Sequence, residues 1–254
     1  MKILTISRNT YKEAVRSKLF LLLTIFSLVI IIASKVISML VVSAGVRVIM
    51  DMGLATIELF SILTAVLIAV NLFYKEKERR TLFNILSKPV SREEFIIGKF
   101  LGISAVLFVS IFILGSVFLL YLWVVSGQFS FYLIYQMFFS YLIGNILIAF
   151  SLLFSTLSTP ILSSIFSFGI YLIGYFTPTL ITYYQAKFHG ATMVLLKIIY
   201  YILPNLTILN WKNKIIHSQT IPFNNFITGT IYGIDYALII LVLTIIIFKT
   251  KEIN

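Results

Sequence analysis

From Phe100 to Ala186 the chain runs for 87 residues without a single Asp, Glu, Lys or Arg. A water-soluble domain needs charged surface far more often than that, whereas a helix crossing a bilayer needs about 20 apolar residues in a row. The run accommodates three such spans, at about Glu94–Val125, Phe131–Ser155 and Ile161–Tyr184. Gly127-Gln128 marks the turn between the first two and Ser158-Thr159-Pro160 the turn between the next two. Pro178 falls inside the last and is expected to kink it, as membrane helices tolerate.

The rest of the chain follows the same pattern. Of its 254 residues 60% are apolar and 11% charged, with a mean hydropathy of +1.04. Two spans precede the charge-free run, at about Leu19–Val42 and Met52–Tyr74, separated by a short outer loop at Gly45–Asp51. One span follows, at about Thr228–Phe248. The first apolar run lacks a small-residue cleavage site, so it is expected to remain as a span. The expected fold is all-α: a polytopic integral membrane protein with six transmembrane helices, forming one transmembrane domain over 1–254.

Charge placement orients the bundle. Segments expected inside carry 14 of the 20 Lys and Arg, and the outer side and outer thirds carry six. Basic residues are retained in the cytoplasm, so both termini are expected there, in a multi-pass protein of the cell membrane. The net charge of +11 is thereby assigned to topology and anionic lipid headgroups rather than to nucleic acid. In residues 1–18, Arg8, Lys12 and Arg16 recur four apart, opposite Leu4, Tyr11 and Val15. This is the pattern of an amphipathic helix in the inner interface.

The one strongly charged internal stretch is Lys75–Gly102, with seven bases and four acids between two spans. Leu82, Ile85 and Leu86 recur at helical spacing, which predicts a short helix over Glu76–Leu86 ended by Pro89. Ser91 followed by Glu94 is a capping box, so a second helix should begin at Arg92. The order Glu76, Glu78, Thr81, Leu86, Ser87, Pro89, Val90, Ser91, Arg92, Gly98, Lys99 resembles the cytoplasmic signature of the ABC type-2 transporter permeases, in particular the branch holding the NosY-like permeases of copper-processing systems. In that family such a segment (here 75–93) is a coupling helix that docks on an ATP-binding-cassette subunit. The resemblance implies that Glu76, Glu78, Thr81, Leu82, Leu86, Ser87, Pro89 and Arg92 couple the spans to that ATPase.

The outer segment 185–227 carries a second likeness. Met193–Leu203 is apolar but too short to span, and reads as a re-entrant or interfacial helix ended by Pro204-Asn205. An outer-face element followed by a Leu-Pro-Asn turn resembles the same family.

Catalytic motifs are missing from the sequence. It holds no phosphate-binding loop, no His-Glu-x-x-His helix and no Gly-x-Ser-x-Gly elbow. The chain also has no cysteine, and its two histidines, His189 and His217, have no evident companion ligands. No cofactor is therefore expected in this chain, and no enzymatic activity of its own; ATP and Mg would belong to the partner subunit.

Three charges fall inside spans: Lys35, Glu58 and Asp235, read as lying at similar outer depth. A charge at mid-bilayer costs roughly 2.5–3.5 kcal/mol on an insertion scale. At least one acid is accordingly expected to face the bundle or a wet outer cavity, near Lys35. Gly98/Gly102 and Gly229/Gly233 are small pairs that permit close helix packing, within the chain or between subunits.

The functional expectation is a permease subunit of an ABC exporter, acting with separate ATPase subunits and with a second copy of itself or a related permease. The alternative is an ion-coupled secondary carrier, or a membrane scaffold, without an ATPase partner.

Overall fold

The computed structural model describes residues 2–40, 45–78, 91–127, 130–185, 203–217, 219 and 221–250; the side chains of 77, 78 and 177–185 fall outside that description. In chain order the elements are α1 (Lys2–Val15), α2 (Lys18–Ser38), α3 (Gly45–Leu63), a π-helical turn (Thr64–Ile68) and α4 (Ala69–Glu78). There follow α5 (Arg92–Ser126), α6 (Tyr132–Leu157), α7 (Pro160–Gln185), a 3-10 turn (Leu206–Leu209), α8 (Lys212–Ile216) and α9 (Phe223–Thr250). No strand occurs among the described residues.

Five of these are long and apolar enough to cross a membrane: α2, the continuous α3–π–α4 rod, α5, α6 and α9. The sixth expected span corresponds to α7, of 26 residues, whose part Pro160–Phe176 is apolar. The protein is thus an all-α, multi-pass membrane protein.

Local chemistry sets the helix ends. Ser17 caps α2, its hydroxyl accepting the Phe20 amide at 3.1 Å. α5 begins at Arg92, as the capping box predicts. Ser91 Oγ accepts the Glu94 amide at 3.2 Å while the Ser91 amide donates to Glu94 Oε2 at 2.8 Å. α5 ends at Gly127, which adopts φ +64°, a left-handed cap that glycine reaches without strain. α7 starts on Pro160, where a missing N–H costs nothing.

Two boundaries differ from expectation. Gly45–Asp51 is helix, not loop, because Ile49 and Met50 have apolar neighbours to bury against. Glu76 and Glu78 belong to the last turns of the span helix α4, not to a separate helix opening at Glu76, since nothing between Tyr74 and Glu78 breaks the turn. The expected re-entrant helix lies, over 193–202, outside the described residues, as do 79–90.

α6 is the centre of the bundle. It is apolar nearly all round and packs against α3, α4, α5, α7 and α9. α9 crosses it closely, with Gly229 against the Phe139 ring and Gly233 against Leu142. α2 lies at the periphery: it buries the stripe Leu23, Ser27, Ile31 and Ser34 and exposes Leu22, Ile25, Phe26 and Val29. Hydrocarbon is the solvent for that face, so its exposure carries no hydrophobic cost.

α1 is a packed part of the bundle. Ile6 sits on Gly98, and Thr10 and the Ser7 carbonyl sit on Gly102. A step of four residues on α1 therefore matches a step of four on α5, so the two helices run side by side in the same direction. Arg8, Lys12 and Arg16 stay exposed on the opposite face. Both small-residue pairs are occupied within this chain.

Candidate coupling site at the charged end of the bundle

The charges of the central stretch converge where α1, α4, α5 and α9 end. Lys99, the first charge met on entering the apolar part of α5 from this end, is fully buried, and its Nζ lies 2.6 Å from Glu76 Oε1 on α4. It also lies 5.8 Å from the Phe95 ring centroid. A buried ammonium is stable only with such a partner. The pair joins the two roots of the segment 79–90, one on each side.

Further ties surround it. Lys75 pairs with Glu13, linking α4 to α1. Arg92 Nη1 donates to the Phe248 and Lys249 carbonyls, both at 2.9 Å, and so caps the end of α9. Glu93 pairs with Lys249. Beneath this layer the rings of Phe73, Phe95 and Phe248 meet with centroids 6.0–6.3 Å apart, one each from α4, α5 and α9. A polar layer over an apolar one is what a helix bundle presents where it leaves the hydrocarbon.

Of the sequence-derived coupling residues, Glu76 and Arg92 take part in this cluster, both turned into the bundle's own contacts. Glu78 is the last residue of α4, with its side chain outside the described residues. Thr81, Leu82, Leu86, Ser87 and Pro89 lie outside the described residues altogether. Sequence reasoning did not single out Lys99, Glu13 or Lys249 as partners. The available signal was Lys99 itself, a lysine bounded by Ile97-Gly98 and Phe100-Leu101, which can be apolar in context only if an acid on a neighbouring helix reaches it.

The three intramembrane charges are not brought together. Glu58 is buried, 6% exposed, and accepts a hydrogen bond from the Tyr171 hydroxyl of α7 at 3.1 Å. Lys35 and Asp235 are exposed on the outer faces of α2 and α9. Nor do they share a depth. Tyr121 donates to the Ile32 carbonyl, Phe118 packs on Gly53, and Phe95 stacks on Phe248. Counting along each helix from these landmarks sets Lys35 level with Val124 of α5, Glu58 with Ile113 and Asp235 with Phe108. Lys35 and Asp235 are then roughly 24 Å apart in depth at 1.5 Å per residue. The apolar runs alone gave no such landmarks.

At the opposite end the described part of the segment 185–227 closes over α6. Gln136 Oε1 accepts the Trp211 amide at 2.8 Å, the Tyr175 hydroxyl accepts from Asn210 Nδ2 at 3.0 Å, and the Asn205 amide donates to the Tyr232 hydroxyl at 2.7 Å. Lys212 reaches Asp51 at 2.8 Å. The expected turn at Pro204-Asn205 is present: Asn205 caps the 3-10 turn, and the Pro204 carbonyl closes on Gly174, where a Cβ would stand 2.5 Å from it.

No curated protein matches the chain. The family model described as "ABC-2 family transporter protein" matches residues 4–253, nearly the whole length, at the level of the family and not of a branch within it. With its multi-pass helical bundle, the chain belongs to the ABC-2 transporter family, as a transmembrane permease subunit of an ABC transporter.

Proposed function

We propose that this subunit works in an exporter of the cell membrane, with both termini cytoplasmic, and that residues 79–90 are the seat of a separate ATP-binding-cassette subunit. The observation that carries this reading is the Glu76–Lys99 pair. It ties the two helices that flank the segment, so a push on the segment moves α4 and α5 together. α1 follows through Glu13–Lys75 and α9 through Arg92 and Glu93. A conformational change needs contacts that differ between two states, and a ring of ties around the docking segment supplies the lever. In this reading Glu76 and Arg92 position the segment, while Leu82 and Leu86 meet the ATPase.

A second permease subunit is part of the same reading. Asp235 lies near the middle of α9 on an exposed face among Ile231, Ile234, Leu238 and Ile239. A carboxylate left against hydrocarbon is costly, and a second copy seated there relieves that cost.

The chain's lack of cysteine makes a direct test simple. A single Leu82→Cys variant in native membranes should cross-link to a soluble subunit that hydrolyses ATP. Charge reversal at Glu76 should retain insertion but lower the hydrolysis stimulated by the assembled complex. Absence of any cross-linked ATP-hydrolysing subunit, with unchanged hydrolysis in Glu76→Lys, would remove the proposal.

A further inference from the structure

α7 is built inside out. Its faces toward Ile161, Leu162, Ile165, Phe166, Leu172 and Phe176 are exposed and apolar. The stripe it turns to the protein is Ser163, Ser167 and Tyr171, one turn apart each, and then Gly174. Each of the three hydroxyls meets a polar partner on another helix. Ser163 lies 3.4 Å from the Tyr74 hydroxyl of α4, Ser167 accepts from Ser151 of α6 at 3.1 Å, and Tyr171 donates to Glu58 of α3 at 3.1 Å. Along this stripe α7 meets its neighbours by hydroxyl-to-polar contacts at three successive turns, beside the partly buried Phe168 and Ile170.

A second observation points the same way. Among the described residues, Ser155 Oγ and Thr64 Oγ1 are buried without a hydrogen-bond partner, and both residues are 0% exposed. Ser155 is one turn from Ser151 on α6. Thr64 opens the π-helical turn, which lies between Glu58 and Tyr74 along the rod and packs against both α6 and α7, as well as α2 and α5. Buried orphan hydroxyls are rare in folded proteins and are as a rule satisfied by water. π turns also concentrate at functional positions. Glu58 is the one charged side chain among these groups; Lys212, the basic residue close enough to act on it, is paired with Asp51 at 2.8 Å.

We infer that the seam where α7 meets α6 and the α3–π–α4 rod is a water-admitting polar route into the bundle, with Glu58 as its cation-attracting station. Its lining of hydroxyls and one carboxylate suits cationic, hydrogen-bond-donating groups and disfavours anions. This goes beyond the coupling proposal and needs only the membrane-spanning bundle, so the failure of either leaves the other standing.

Single cysteines in the cysteine-free chain test it. Thiolates form only where water reaches, so a cysteine in hydrocarbon stays inert to hydrophilic thiol reagents. In permeabilised membranes, Ser151→Cys and Ser167→Cys should react with the cationic trimethylammonioethyl methanethiosulfonate. Phe166→Cys, on the lipid face of α7, should not, and exposed Lys12→Cys serves as the positive control. At Ser167→Cys the ratio of the cationic to the anionic sulfonatoethyl reagent's rate, divided by the same ratio for a free small thiol in solution, should be on the order of ten, a preference that a nearby carboxylate dictates. Glu58→Gln, which keeps the acceptor for Tyr171, should collapse that preference while labelling continues. Seam cysteines that stay unreacted while Lys12→Cys labels overturn the route. A preference that is absent, or unchanged in Glu58→Gln, overturns the role of Glu58.

Discussion

Lys99 Nζ on α5 stands 2.6 Å from Glu76 Oε1 on α4, with the lysine side chain wholly buried and the glutamate 19% exposed. The asymmetry in exposure makes the two single variants unequal. Glu76→Gln strands a buried ammonium and should destabilise by about 3 kcal/mol, the scale for an uncompensated buried charge. Lys99→Met leaves a carboxylate that is less deeply buried than the ammonium, and should cost less. The double variant should recover most of the loss. Thermal unfolding of the purified protein in detergent reads all three, and equal losses in both singles with no recovery in the double would refute the ordering.

The seat of α1 on Gly98 and Gly102 is closed to any larger side chain. A Cβ at Gly102 would come within 2.7 Å of the Ser7 carbonyl, and one at Gly98 within 2.7 Å of Ile6. Gly102→Val should therefore push α1 off α5, at about 1–3 kcal/mol for overpacking. Trypsin should then cleave faster at Arg8, Lys12 and Arg16, with α5 left intact. Unchanged cleavage would show that α1 does not depend on the glycines.

The capping box at Ser91 stands at the root of the segment 79–90. Ser91→Ala should cost about 1 kcal/mol, and Ser91→Thr or Ser91→Asp much less, since either side chain keeps an acceptor for the Glu94 amide. Hydrogen exchange at Glu94 and Phe95 should quicken in the alanine variant alone. Equal exchange in all three would mean that the cap is dispensable.

At the end of the bundle opposite the charged cluster, two contacts to the same element should behave differently. Asp51 is 53% exposed, so Lys212→Met should change stability by under about 1 kcal/mol, as exposed ion pairs do. Gln136 is 1% exposed and satisfies the Trp211 amide. Gln136→Leu leaves that amide without its acceptor, at about 1–3 kcal/mol. Hydrogen exchange over 206–216 should rise in Gln136→Leu and remain near wild type in Lys212→Met; the reverse order would overturn this ranking.

The sequence by itself determined the elements. A run of 87 uncharged residues leaves a chain little choice but spans, and Ser91, Gly127 and Pro160 mark helix ends by chemistry that acts within one turn. The order of residues from Glu76 to Lys99 also carried the family, which the match over residues 4–253 bears out. Depth and partnership were decided only in three dimensions. Every span is apolar enough to slide past its neighbours, so nothing local fixes which residue stands beside which. It took Gly53 under Phe118, Gly98 under Ile6 and Gly233 under Leu142 to lock the registers. Those registers turned Glu58 toward Tyr171, left Lys35 and Asp235 on outer faces, and buried Lys99 against Glu76. Periodicity along one helix names the face that turns inward; the close approach of a second helix alone names what it meets there.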